Sequence, residues 1–300
     1  MHAQLRFSSP RINPPAAGRQ PRARRRAVPL FAPLIALSLA LPAIVQGQSQ
    51  GAQATSQAPA AGYTPEVGQA GKDVVWVPTP QALVDRMLDM AQVTPQDYLI
   101  DLGSGDGRTV ITAAKRGLRA HGIEYNPDMV ELARRNAAQA GVADRATFVR
   151  ADLFESDFSQ AQVITMFLLP TINERLRPRL LELKPGTRVV SNSFTMGDWS
   201  PDRSSKVEGD CQTWCTALMW IVPARVQGAW RLGSQELRLT QQYQMLNGTL
   251  GSARIADGKL EGSRITFTVN GTRYSGTVDG DRMTGKATGG QGGDWTARRV

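Results

Sequence analysis

Three acidic residues and a run of glycines are spaced so that together they could hold a small nucleoside. Asp101 opens DLGSGDG (101–107), where Gly103, Gly105 and Gly107 alternate with Ser104 and Asp106. Glycine lets backbone approach a ligand closely and adopts left-handed dihedrals that side chains resist. Glu124 comes 21 residues after Gly103, where a carboxylate at a strand end can accept hydrogen bonds from both hydroxyls of a ribose. Asp152 follows in ADLFE (151–155). A dinucleotide fingerprint, G-x-G-x-x-G, needs glycine at 108. This chain has Arg108 there, and its third glycine comes one residue early. A carboxylate at 101 would repel a pyrophosphate and hold an ammonium group.

These residues need a sheet behind them. Tyr98–Leu102 reads as a short apolar strand, His121–Tyr125 as a second and Ala146–Arg150 as a third. Gln162–Leu168 and Thr187–Asn192 read as a fourth and fifth, and Ala217–Pro223 as one that needs both faces buried. Helices are predicted between them. One is capped by Thr79 with Pro80 at its first position and an apolar stripe of Leu83, Val84, Met87, Leu88 and Ala91. Others are Thr109–Arg116, closed by Gly117, a helix from the Asn126-Pro127 cap to Ala140, and one near 172–182. Strands separated by helices imply an α/β, Rossmann-like doubly wound sheet. Ligands of such sheets sit at the carboxyl ends of the strands. The ligand that joins a ribose to a cationic amino-acid end is S-adenosyl-L-methionine, which is the expected cofactor.

Through DLGSGDG, the Glu124 strand end and the acid of ADLFE, the sequence resembles the class I, seven-strand methyltransferases. VVWVPTPQALVDRML (74–88), IEYNPDMVELAR (123–134), FLLP (167–170) and SFTMGDWSPD (193–202) narrow the resemblance. They are similar to a subfamily that includes mitochondrial protein-lysine methyltransferases of the ATP synthase c subunit and the adenine nucleotide translocase, with bacterial members. The likeness spans about 73–225. It implies that Asp101 and the Gly103–Gly107 turn, Ser104 included, hold the methionine end, and that Glu124 holds the ribose. Asp152 would accept from the adenine amino group and Leu153 would present a backbone N–H. Thr79 has two readings, closing over the donor or capping its helix.

Methyl transfer from a sulfonium is an in-line displacement, and alignment alone can lower such a barrier by roughly 7–11 kcal/mol. A lysine acceptor must lose a proton, which burial favours without a dedicated base. The FLLP turn offers no side-chain amide to orient a planar amide or base, so an aliphatic amine fits better. Leu169 and Pro170, with Leu168, are acceptor-site candidates, and core packing is their alternative role. Trp199 and Asp198 are further candidates. The expected activity is therefore a protein-lysine N-methyltransferase. A small-molecule methyltransferase and a non-catalytic binding protein on the same fold are the alternatives.

The net charge is +9, yet residues 1–47 carry seven arginines and no acid, leaving +2 for the rest. No nucleic-acid partner is expected from so even a balance. RARRR (22–26) precedes the 18-residue apolar stretch 28–45, and Val45 and Gly47 fit a cleavage site. Residues 1–47 read as a signal peptide or a membrane anchor, placing the body of the chain outside the cytosol, periplasmic or anchored. That conflicts with a donor made in the cytosol. Residues 48–72 read as a disordered linker. Cys211 and Cys215 in CQTWC are either free thiols or a disulfide that requires a turn at 212–214. His121 stands alone as a structural residue, and no metal site is assigned.

Residues 226–300 change texture. Asn247-Gly248, Asp257-Gly258, Asn270-Gly271 and Asp279-Gly280 separate alternating stretches. Such pairs predict tight hairpins and hence a small all-β antiparallel meander or barrel from Trp230 to Trp295, with no family resemblance.

Overall fold

The computed structural model describes residues 62–209, 211–290 and 292–300. Residues 1–47, read as signal or anchor, and 48–61 of the predicted linker lie outside them.

Seven strands form one sheet in the order β3-β2-β1-β4-β5-β7-β6. The first five are β1 (Tyr98–Leu102), β2 (Arg119–Glu124), β3 (Ala146–Arg150), β4 (Val163–Met166) and β5 (Arg188–Asn192), and all pair in parallel. β7 (Thr216–Ile221) runs antiparallel between β5 and β6 (Arg203–Lys206). The sheet is therefore mixed, with β7 antiparallel to both of its neighbours. β6 has the sequence RSSK and is mostly exposed, so it lacks the apolar alternation that marks a strand.

Side-chain alternation builds two cores. Leu99, Ala120, Val163, Val190 and Met219 face α1 (Gln81–Met90), α2 (Arg108–Lys115) and α3 (Pro127–Gln139). Ile100, Ile123, Ile164, Val189 and Trp220 face α4 (Pro170–Leu180) and the buried Trp199 on the other side. The predicted stripe Leu83, Val84, Met87, Leu88 and Ala91 is fully buried. Asn126 caps α3, its side chain accepting from the Asp128 and Met129 amides. Thr79 does not cap α1. That position belongs to Pro80, whose carbonyl accepts from Leu83 and Val84, while the Thr79 hydroxyl turns inward to Asn192, 3.3 Å away.

The C-terminal strands form a closed antiparallel barrel of eight strands. These are β8 (Gly228–Leu232), β9 (Gln235–Gln242), β10 (Met245–Leu250), β12 (Ala256–Glu261), β13 (Arg264–Val269), β14 (Thr272–Asp279), β15 (Arg282–Thr288) and β16 (Gly293–Arg299), with the short β11 (Ala253–Arg254) beside β10. Only some of the predicted turns are turns. Asn270-Gly271 links Val269 to its partner Thr272, and Gly280-Asp281 links Asp279 to Arg282. Asn247-Gly248 lies inside β10 and Asp257-Gly258 inside β12. A side chain at Gly248 would sit 1.9 Å from the Arg238 carbonyl, so close strand contact, not chain reversal, requires that glycine. The reversals at those ends fall on Tyr243-Gln244, Gly251-Ser252 and Gly262-Ser263. The barrel joins the sheet through Trp199, whose Nε1 donates to Gln244 Oε1 at 2.9 Å. Tyr243 stacks on the same indole.

Candidate functional site

A cleft of about 1080 Å³, open to solvent at its mouth, lies over the carboxyl ends of β1, β2 and β4. Its walls hold Asp101, Gly103, Ser104, Gly105, Glu124, Asp152, Leu153 and Thr79. Eight of the nine residues predicted to bind the donor thus meet at one place. Gly107 does not. It ends the turn with φ 83°, and a side chain there would strike the Phe148 ring at 2.7 Å and Ala133 at 2.9 Å. Its glycine serves the packing of α2 on α3 and β3.

At Gly105 the close neighbour is a side chain of this chain, Trp76. A Cβ on it would lie 2.7 Å from Trp76 Nε1. Trp76 belongs to a segment that folds back over the cleft. The Gly68 amide donates to the Trp76 carbonyl at 2.8 Å and Trp76 to Gln69 at 2.9 Å, and Ala70 bridges Val75. Residues 62–72, expected to be linker, are therefore placed. Their polar composition resembles linker, but backbone groups of 68–71 pair with 74–76, and 69–72 line the cleft. The VVWVPTP motif was the available signal for Trp76.

Asp101 sits at the floor, only 6% exposed. Thr165 donates to its Oδ1 at 2.7 Å. No cation among the described residues pairs with it. Burial pushes its pKa up to about 7, helped by the charges of Glu124 and Asp106 and opposed by the Thr165 hydrogen bond. Glu124 is held rigidly. Its Oε2 accepts from the Gly105 amide and its Oε1 from the Asn126 amide, each at 2.9 Å. Asp152 is held too. Its Oδ1 accepts from the Phe154 amide at 2.8 Å, and Lys72 pairs with its Oδ2. The Lys72 hydrogen bond, then the Phe154 amide, keeps this carboxyl below the usual range. An adenine amino group at Asp152 would share that oxygen with Lys72 or displace it. The Leu153 amide has no partner among the described residues. The Ser104 hydroxyl is buried over Gly122, its amide donates to the Ile123 carbonyl at 3.1 Å and its carbonyl accepts from the Gly107 amide at 2.9 Å, so this residue shapes the turn.

Of the acceptor candidates, Leu169 is exposed on a second groove next to the cleft. Pro170 begins α4 and lines neither space. Trp199 is wholly buried and Asp198 pairs with Arg177 and Tyr243 on the surface. Both link the sheet to the barrel, because an indole that size is drawn into the core between Trp220 and Tyr243. His121 lies outside the cleft, bonded to Thr147.

Residues 101–203 match the family described as the ANTKMT methyltransferase domain. Over 138 residues the chain is 49% identical to a protein-lysine N-methyltransferase of Saccharolobus islandicus, covering 45% of this chain and 86% of that one. The chain belongs to the ANTKMT methyltransferase family. This methyltransferase is also 38% identical over 120 residues to the adenine nucleotide translocase lysine N-methyltransferase of Mus musculus, covering 39% of this chain and 52% of that one. A solved structure described as an RNA methyltransferase from Salinibacter ruber in complex with S-adenosyl-L-homocysteine is 53% identical. It covers 50% of this chain and 96% of that one, with a TM-score of 0.47.

S-adenosyl-L-methionine is the cofactor of this methyltransferase, and the cleft fits it. A buried, unpaired carboxylate calls for a cation, and the donor's ammonium would provide it at Asp101. Glu124, already fixed by two amides, presents its remaining lone pairs to a ribose. When bound, the donor supplies a methyl group activated on a sulfonium. The chain's own work is to hold, orient and exclude water.

Proposed function

We propose that this methyltransferase acts on the side-chain amine of a protein lysine. The observation that carries the reading is the wall shared by the two spaces. Phe167 and Leu168 line both the donor cleft and the neighbouring apolar groove, so a narrow side chain entering the groove arrives beside the turn that faces Asp101. A Cβ at Gly103 would meet Leu168 at 3.1 Å, which puts that wall against the expected methionine end. The groove's lining has no imidazole and no side-chain amide. An alkylammonium brought into it is desolvated, which lowers its pKa and favours the neutral nucleophile. That the Saccharolobus islandicus and Mus musculus relatives are lysine N-methyltransferases supports lysine.

The test is full-length protein with methyl-labelled donor, offered a lysine homopolymer, a lysine-free polypeptide and RNA. Label is expected on the lysine polymer alone, as methyl increments on the ε-amine by mass spectrometry. Transfer confined to RNA or to lysine-free acceptors would remove the reading.

We also propose that the chain works outside the cytosol. Cys211 and Cys215 are joined, with Cα atoms 5.7 Å apart, and such bonds persist mainly in oxidising compartments. No helix among the described residues is long and apolar enough to cross a membrane. Mass spectrometry of the mature protein is expected to find its N-terminus at Gln48. An intact Met1 would favour the anchor instead.

A further inference from the structure

We propose that Phe167, Phe194 and Trp214 form the acceptor subsite, an aromatic slot that recognises an alkylammonium side chain and its methylated forms, with the Cys211–Cys215 bond holding Trp214 in position. The proposal rests on the lysine reading above and adds the residues that would read the acceptor.

Phe167 stacks on Phe194 with ring centroids 5.8 Å apart, and Trp214 meets Phe167 edge-on at 5.8 Å. The three rings come from separate segments: the end of β4, the turn after β5 and the loop before β7. They line a groove that shares its wall with the donor cleft. Aromatic clusters of this size are usually sealed into a core, but this one is open. Among the described residues eight large apolar side chains are exposed, and three of them, Val75, Leu169 and Trp214, border this groove. Concentrated apolar exposure marks a surface that receives something. The partial negative charge on aromatic faces attracts cations, quaternary ammonium groups among them. Two charged side chains also line the groove, Asp73 and Lys72, and the Lys72 ammonium is paired with Asp152 and Asp73, so it does not stand free against a second cation. The occupant that fits these walls and their place beside the donor is an alkyl chain ending in a cationic nitrogen.

The loop carrying Trp214 is built to stay put. Residues four apart in an extended strand would stand about 13 Å apart, whereas the disulfide holds these two cysteines at 5.7 Å. Trp214 lies between them with φ 53°, a conformation that resists a large side chain unless its surroundings impose it. Cys215 is buried, and its carbonyl accepts from the Val207 amide at 2.8 Å. The next carbonyl, Thr216, accepts from Ser193 at 2.7 Å, beside Phe194. The bond thus ties the exposed indole to the end of β5, beside Phe194. The loop lies beyond residues 101–203, so the family match does not assign it.

The probe is butyltrimethylammonium, with 1-butanol as its neutral counterpart, titrated into full-length oxidised protein and followed by ligand-observed NMR. Donor affinity is measured in parallel by calorimetry. The cation is expected to bind at least about fivefold tighter than the alcohol, in line with cation–π attraction. Trp214→Ala should weaken the probe about tenfold and raise KM for a lysine acceptor similarly, with donor Kd unchanged. Trp214→Phe should stay within about threefold of wild type. The Cys211→Ser/Cys215→Ser double variant should behave like Trp214→Ala. Equal binding of alcohol and cation, unchanged probe affinity in Trp214→Ala, or Trp214→Phe as weak as Trp214→Ala would each overturn the slot. Probe binding through Trp214 without transfer to any lysine acceptor would support the slot and discard the lysine reading.

Discussion

Glu124→Ala is expected to weaken S-adenosyl-L-methionine binding by at least about a hundredfold in calorimetry. The carboxylate accepts two backbone amides, from Gly105 and Asn126, each at 2.9 Å. Removing it deletes the partner of the ribose and leaves the Gly105 amide without its acceptor, while the Gly103 and Ser104 amides still bond the Ile123 carbonyl and keep the turn on β2. Hydrogen bonds to a charged group are worth about 1.5–3 kcal/mol each, and every 1.4 kcal/mol is a tenfold change in affinity. Losing two ribose contacts alone accounts for the hundredfold. Glu124→Gln separates the two effects. Its amide oxygen can replace one acceptor, but its NH2 group opposes an N–H donor, so its affinity should fall between wild type and Glu124→Ala. NAD should bind none of the three proteins. If folded Glu124→Ala kept donor affinity within about threefold, the assignment of the ribose to this residue would fail.

What could be read from sequence divides along physical lines. Where the pattern depends on local chemistry, residue type sufficed. Asn126-Pro127 specifies a cap and a first helical position, and Tyr98–Leu102 is a strand because it is apolar and short. The glycine turn, Glu124 and Asp152 meet because a parallel sheet brings successive strand ends to one edge. Where the outcome depends on distant contacts, residue type misled. Thr79 has a capping hydroxyl, but Asn192 and the cleft claim it. Gly107 is ligand-like in spacing, yet Phe148 explains it. Residues 62–72 have the composition of linker, yet 68–71 pair with 74–76. Asn-Gly and Asp-Gly pairs mark positive φ, which a barrel also uses inside its strands, as Asp257 does at φ 52°. Of the groove's rings, Phe167 and Phe194 lie in the FLLP and SFTMGDWSPD motifs, but nothing in the sequence says that Trp214, on a third segment, joins them.

Asp101→Asn is expected to uncouple stability from donor binding. Burial raises this carboxyl from 3.8 to about 7. Between those pH values the folded protein holds a proton that the unfolded chain has released, so the donor-free protein loses stability as pH rises from about 4 to about 7. Above that range the full cost of a buried carboxylate remains. Asparagine still accepts from Thr165 and carries no charge. The variant should therefore melt a few degrees higher than wild type at pH 8, with the difference shrinking as pH falls below about 6. Binding should move the other way. Only the ionised carboxylate can hold an ammonium, so wild-type affinity for S-adenosyl-L-methionine should rise with pH up to about 7 and fall again once the donor's own α-amine loses its proton, at about pH 8. Asp101→Asn should bind at least tenfold more weakly above pH 7 and show no such rise. The gain in melting temperature and the loss of affinity have one cause, a carboxylate kept in an apolar floor so that a cation can be held there. A variant destabilised at pH 8, or one with wild-type affinity, would mean that the charge of Asp101 does not serve the donor.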